Sequence, residues 1–212
     1  MILDATAGNR QMWKKKFSKN ITYIDQGERL QIPPDIICDN TNTPFADKTF
    51  DTIFYDPPHR WAWEGSYFSY QNAEDAKDVW GDRKGVITYY GWDVFKTRGD
   101  VIKHLYNANN ELHRILKDDG LLWFKWNEIE ISLQQVLSLF GKWDELMRLY
   151  VNSPMQRKKD VQTYWVVFEK KTEGESQVSL HEFKADEELP VTVLKRSKLG
   201  DDASQLHFGT PP

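Results

Sequence analysis

The chain alternates short apolar runs with stretches of helical spacing, and that alternation restricts it to an α/β layered fold. Strand patterns fall at residues 1–5, 21–25, 35–39, 50–55, 121–126, 145–151 and 163–171. Helical patterns are read at residues 9–19, 101–116 and 129–140. The second repeats Val101, Leu105, Ala108, Leu112, Ile115 and Leu116, and "KDDG" is read as its stop. Crossovers are expected between the earlier strands. Between the last two stand only eleven residues, "NSPMQRKKDVQ", too few for a crossover helix, so that pair should be antiparallel. The expected architecture is a doubly wound, mostly parallel sheet of seven strands with one reversed edge strand.

A chain of 212 residues suits one such domain with a trailing segment. From Thr172 onward the sequence turns polar and rich in Glu, Ser and Lys, with residues 191–194 as at most one short strand. The expected organisation is a domain at residues 1–171 and a C-terminal appendage at 172–212, mobile or docked. The appendage holds eight acids against four bases, which leaves 24 of each in residues 1–171. With a neutral body, bulk charge decides nothing about nucleic acid, and only a local basic patch can. The single cysteine, Cys38, lies on a core strand where burial is expected. One cysteine excludes an intramolecular disulfide and a cysteine-based zinc site. No cluster of His, Asp and Glu has metal-ligand spacing, so no metal is expected. The chain opens on the strand "MILDATAG" with no basic segment before it, and no apolar run is long enough to span a bilayer. A soluble, cytoplasmic protein without a membrane partner is expected.

Four strands end on or beside an acid: Asp4, Asp25, Asp39 and Asp56. In an open parallel sheet, ligands bind beyond the carboxyl ends of the strands. One acid there is ordinary turn chemistry, but four at one edge imply a site. "DATAGN" places small residues, Ala5, Thr6 and Gly8, where backbone approaches a ligand, with a helix N-terminus expected behind them. Asp25 stands about 20 residues on, where an acid accepts hydrogen bonds from ribose hydroxyls. Asp39 and Asn40 are placed to read the amino edge of an adenine. After the fourth strand, "DPPH" stiffens the chain: two prolines fix two φ angles and remove two donors. The residue before each is held out of the helical region. Asp56 and the prolyl carbonyls thus become rigidly aimed acceptors.

The run "DATAGN…YID…CDNTNTPFADKTFD…DPPH" resembles class I S-adenosylmethionine-dependent methyltransferases, specifically those that methylate exocyclic amino groups. Order and spacing carry the resemblance, which covers about residues 1–171. It implies a Rossmann-like, seven-stranded fold with an antiparallel last strand pair, and S-adenosyl-L-methionine as cofactor. Asp4, Ala5, Thr6 and Gly8 would hold its methionine part, Asp25 its ribose, and Asp39 with Asn40 its adenine. Asp56-Pro57-Pro58-His59 is similar to the family's catalytic motif. There the acid and a prolyl carbonyl take hydrogen bonds from the target amine, and the ring of residue 59 stacks on an extruded base. Here one glycine stands in the first turn where many members carry two or three, and His59 replaces the commoner Tyr, Phe or Trp. The implied substrate is a nucleic-acid base, with adenine N6 in DNA first because Asp begins the motif. Base methylation in ribosomal or transfer RNA is the alternative within the class. A non-catalytic cofactor- or nucleic-acid-binding subunit is the rival outside it.

Residues 59–98 form an expected substrate-facing insertion. Trp61, Trp63, Tyr67, Phe68, Tyr70, Trp80, Tyr89, Tyr90, Trp92 and Phe95 are interleaved there with Arg60, Lys77, Arg83, Lys84, Lys96 and Arg98. That mixture suits base stacking and phosphate pairing, although a long lid would pack most of these rings onto the domain. Arg60, Trp61 and Trp63, beside the DPPH turn, are the substrate-binding candidates. "RKK" at residues 157–159 reads first as a solvated loop. His104 and His113 stand nine apart on one helix and cannot pair. Ser66 and Ser69 have no identifiable histidine partner.

Overall fold

The strand that leads into DPPH forms as its alternation dictates. Phe50, Ile53 and Tyr55 are wholly buried, in a strand that runs Phe50–Tyr55. In the computed structural model, residues 1–27, 30–59, 61, 95–151 and 162–171 are described. Seven strands make the sheet: β1 (Ile2–Asp4), β2 (Ile21–Asp25), β3 (Ile36–Ile37), β4 (Phe50–Tyr55), β5 (Leu116–Asn127), β6 (Trp143–Val151) and β7 (Thr163–Lys170). Their order is β3-β2-β1-β4-β5-β7-β6. The first five are parallel to one another. β7 is antiparallel to both β5 and β6. This is the seven-stranded, mostly parallel, Rossmann-like sheet that the sequence implied, with one correction. The reversed strand is not the edge strand: β7 inserts between β5 and β6, and β6 takes the edge.

The described residues carry two helices, α1 (Arg98–Ile115) and α2 (Leu133–Leu137). Thr97 starts α1 with a reciprocal capping box to Asp100, a cap that contributes about 1 kcal/mol. Val101, Leu105, Ala108, Leu112 and Ile115 make its buried face. "KDDG" is not a helix stop, because β5 begins at once at Leu116 and takes those residues into the strand. A Cβ on Gly120 would sit 2.7 Å from Leu116 Cδ1 and 3.0 Å from Asp51 O. This glycine therefore serves close approach to β4 rather than a cap.

The helix expected over residues 129–140 shrinks to one capped turn. Tight bonds from Leu139 N to Val136 O and from Phe140 N to Leu137 O then curl the chain. They deliver Phe140 onto Phe168, ring centroids 5.0 Å apart and stacked. Buried Asn109 of α1 ties in by donating to Leu139 O and accepting from Trp143 Nε1. These elements close over Tyr55, Leu122, Phe124, Trp126 and Phe168, which form the core of that side of the sheet.

The helix expected over residues 9–19 is absent. Gly8 and Arg10 both have left-handed φ, 47° and 54°, which a right-handed helix cannot accept. The residue that wins is Arg10, whose side chain turns inward. It donates to Lys16 O and Pro33 O at 2.9 Å, pairs with Asp35 at 2.9 Å, and lies 3.8 Å from the Tyr23 ring centroid. The chain wraps around a cation instead of coiling. Trp13, carried by the same loop, packs edge-on against Phe54 at 5.0 Å, and Phe54 stacks with Trp123 at 5.7 Å on the sheet's other side.

β3 is also shorter than the expected 35–39. Only Ile36 and Ile37 pair, and Ile37 is 63% exposed at the sheet edge. Cys38, just past it, is accordingly half-buried rather than buried. No described helix is long and apolar enough to cross a membrane.

Candidate functional site

The parallel register brings the strand ends together. Asp4 lies opposite Phe54 across β1 and β4, so Asp56 stands just beyond Asp4 at the carboxyl edge. Residues 5–8 are laid across that edge by backbone bonds, from Ala5 N to Phe54 O at 2.9 Å and from Ala7 N to Ile24 O at 3.0 Å. Asp25 then fastens two loops: its Oδ2 accepts from Gly8 N and its Oδ1 from Gly27 N, both at 2.8 Å. Thr6 Oγ1 accepts from Asp56 N at 2.8 Å and joins the first turn to the DPPH turn. Asn40 reaches across to donate to Ala5 O at 3.1 Å. Its Oδ1 is buried without a partner among the described residues. Asp39 accepts from Thr41 N at 2.8 Å. Thus Asp4, Ala5, Thr6, Gly8, Asp25, Asn40 and Asp56 converge, and Asp39 adjoins them. The expected helix N-terminus behind the first turn is missing, since residues 9–19 are not helical.

Asp4 is 1% exposed. Burial pushes its carboxyl up to about 6, with the charges of Asp56 and Asp25 adding to the rise. Bonds from Trp13 Nε1 at 2.6 Å and Thr6 N at 3.2 Å oppose it. A carboxyl raised above its unfolded value binds its proton more tightly when folded. Stability from this group therefore falls as pH rises from about 4 to about 6 and is level above. The span is worth about 3 kcal/mol, at 1.36 kcal/mol per unit. Urea unfolding should show wild type gaining on Asp4→Asn as pH drops from neutrality toward about 4. A difference that stays flat across that range would remove burial of the charge as the cause.

Asp56 is also raised by burial, with Lys125 pulling it back. Lys125 Nζ donates to Asp56 Oδ2 at 2.5 Å, and both side chains are about a third exposed, 33% and 32%. Sequence reasoning missed this lysine. In "LLWFKWN" it sits on the half-buried rhythm of β5, where a lysine reads as solvent-facing. Its partner follows only from the β4–β5 register, Tyr55 opposite Phe124.

The DPPH turn corrects one expectation. The His59 ring is not presented at an open mouth; it is 8% exposed and packs edge-on against Trp126, centroids 6.1 Å apart. The rigid turn points it into the sheet's aromatic layer. Trp61 is half-buried. Arg60 and Trp63 lie outside the described residues, as do Ser66, Ser69 and residues 157–159. Phe95 is buried against His104 at 5.1 Å, so this ring of the aromatic–basic segment is packed onto the domain.

No family model matches the chain, and no curated protein matches it. Solved structures do. The PH0226 protein from Pyrococcus horikoshii OT3 is 13% identical over 80% of this chain and 81% of its own, with a TM-score of 0.49. The N-methyltransferase NodS from Bradyrhizobium japonicum WM9 is 11% identical over 81% and 85%, TM-score 0.48. A TehB-like SAM-dependent methyltransferase from Corynebacterium glutamicum is 12% identical over 80% and 79%, TM-score 0.45.

Proposed function

We propose that the chain is an S-adenosylmethionine-dependent methyltransferase acting on an exocyclic amino group of a nucleic-acid base, adenine N6 in DNA. One observation carries this reading. Asp56 stands on a proline-stiffened turn at the carboxyl edge of the central strands, bonded through its backbone to the small-residue first turn. The surrounding residues fit the cofactor. Ala5 and Ala7 leave room for close approach of backbone, and Asn40 Oδ1 is a buried acceptor awaiting a donor such as an adenine amine. Asp25 spends one site of each oxygen on backbone amides. A carboxylate has about four such sites, so it retains capacity for ribose hydroxyls. Asp4, Ala5, Thr6, Gly8, Asp25, Asp39 and Asn40 would thus hold the cofactor, which supplies an electrophilic methyl on a sulfonium.

The protein's part is orientation and electrostatics. A ring-conjugated amine is a poor nucleophile because its lone pair is delocalised. Asp56 and a prolyl carbonyl of the turn take hydrogen bonds from its two hydrogens and free the lone pair. Held in this way, the nitrogen would keep its lone pair directed at the methyl group that a bound cofactor would offer, and the amine proton freed by methylation would leave to solvent, so Asp56 need not act as a strong base. His59, edge-on to Trp126, anchors the turn, and stacking on the base falls to Trp61 with Arg60 and Trp63. The insertion at 59–98 would supply that substrate side, with 172–212 as a separate appendage.

Incubation with methyl-tritiated cofactor and separate pools of DNA, ribosomal RNA and transfer RNA tests the reading. Label recovered as N6-methyladenine in DNA is the expected result. Label confined to an RNA pool would move the substrate to RNA. Cofactor binding with no transfer to any pool would leave a non-catalytic subunit.

A further inference from the structure

The motif reading assigns Asp56 but says nothing of the cation beside it. Lys125 arrives from the neighbouring strand, level with the first residue past β4. Its Nζ donates to Asp56 Oδ2 at 2.5 Å and lies 5.9 Å from the Trp165 ring centroid, within cation–π range. The register of β5 with β7 sets Trp165 directly opposite it. Two neighbouring strands therefore hold the ammonium in one place. We infer that Lys125 is a positioning residue for Asp56: it fixes one carboxylate oxygen so that the other, Oδ1, is the acceptor aimed at the substrate amine. This rests on the methyl-transfer reading.

Geometry gives the pairing its consequence. A free carboxylate rotates and offers either oxygen, and a tethered one presents a single direction, the order that a near-attack arrangement requires. Charge adds a second effect. Among the described residues, the charged groups near Asp56 are Asp4 of β1 and Lys125 of β5, with Asp25 of β2 beside Asp4, while β7 sets Trp165 opposite Lys125. Lys125 is the one cation in that set among the described residues. It opposes the burial that raises the Asp56 carboxyl, and a protonated Asp56 would offer one acceptor fewer to the amine.

The test uses Lys125→Met, which keeps an unbranched apolar stem over Trp165, and Lys125→Arg, which keeps the charge. Aspartate carboxyls labelled with carbon-13 are titrated in the protein alone, the Asp56 signal being assigned by its loss in Asp56→Asn. The expected result is a midpoint raised by about 1–3 pH units in Lys125→Met, the span for a neighbouring opposite charge, and one near wild type in Lys125→Arg. The acid limb of kcat for methyl transfer should rise with it, so that on that limb the rate drops by about tenfold per pH unit. An unmoved Asp56 midpoint in a folded Lys125→Met would overturn the pairing. A moved midpoint with an unmoved acid limb would overturn the positioning role. The titration needs no substrate, so failure of the methyl-transfer reading would show separately, as no transfer by the wild type to any pool.

Discussion

Asp56→Ala should lose on the order of 10²–10³-fold in kcat, the usual cost of removing one preorganised transition-state partner, while still binding cofactor. The split follows from where the carboxylate points. Its backbone N–H is bonded to Thr6 Oγ1, and that bond survives the substitution, so the first turn stays joined to the DPPH turn. Lys125 would lose its partner but is about a third exposed, at 33%, and can return to water. Little of the loss should therefore appear in folding or in cofactor affinity, and nearly all in turnover. Asp56→Asn should fall between, since one amide oxygen can serve the amine or Lys125 but not both. Single-turnover transfer and calorimetry with the cofactor separate the terms. Wild-type turnover in Asp56→Ala would end the proposed mechanism.

The largest stability effect belongs to Arg10. Its side chain is 6% exposed, and the loop after β1 is arranged around it. Arg10→Ala leaves Lys16 O and Pro33 O without their donor and Tyr23 without the cation over its ring. Asp35 suffers less, because it is partly exposed and keeps the bond from Tyr23 N at 3.0 Å. Breaking a buried charge network by removing one member typically costs about 3–5 kcal/mol. Arg10→Lys should recover only part of that, since one ammonium cannot span two carbonyls and a carboxylate as a planar fork does. Urea unfolding should show the midpoint fall with little change in slope. A loss below about 1 kcal/mol would mean that the loop holds itself without Arg10.

That same residue explains what the sequence hid. β2 and β4 were readable to the residue, because alternation and burial agree there. α1 was readable because its buried face repeats at helical spacing behind a threonine cap. Residues 9–19 were misread because pattern reasoning takes apolar residues as inward and charges as outward. Here Phe17 is 76% exposed and Arg10 is buried. The strand-end acids could be found from sequence, since turn chemistry and edge position are local properties. Lys125 could not, because its meaning depends on register between strands about 70 residues apart, and parallel register leaves no local mark. His59 followed the motif in position and departed from it in direction: the ring that should have faced outward met Trp126, a partner 67 positions further along.

The insertion of β7 between β5 and β6 also orders the making of the protein. A chain leaves the ribosome N-terminus first, so β6 emerges before the strand it needs. In the finished sheet β6 stands at the edge beyond β7, and β5 meets β7 on that flank. Until Lys170 is out, β5 keeps a bare row of amides and carbonyls, and β6 waits beside it with Leu146, Met147, Leu149 and Tyr150 destined for the exposed surface. The wrong, direct pairing of β5 with β6 is open for that interval, and it would need β6 to lie in the place of its successor. Eight residues, Thr163–Lys170, settle the matter for both strands at once.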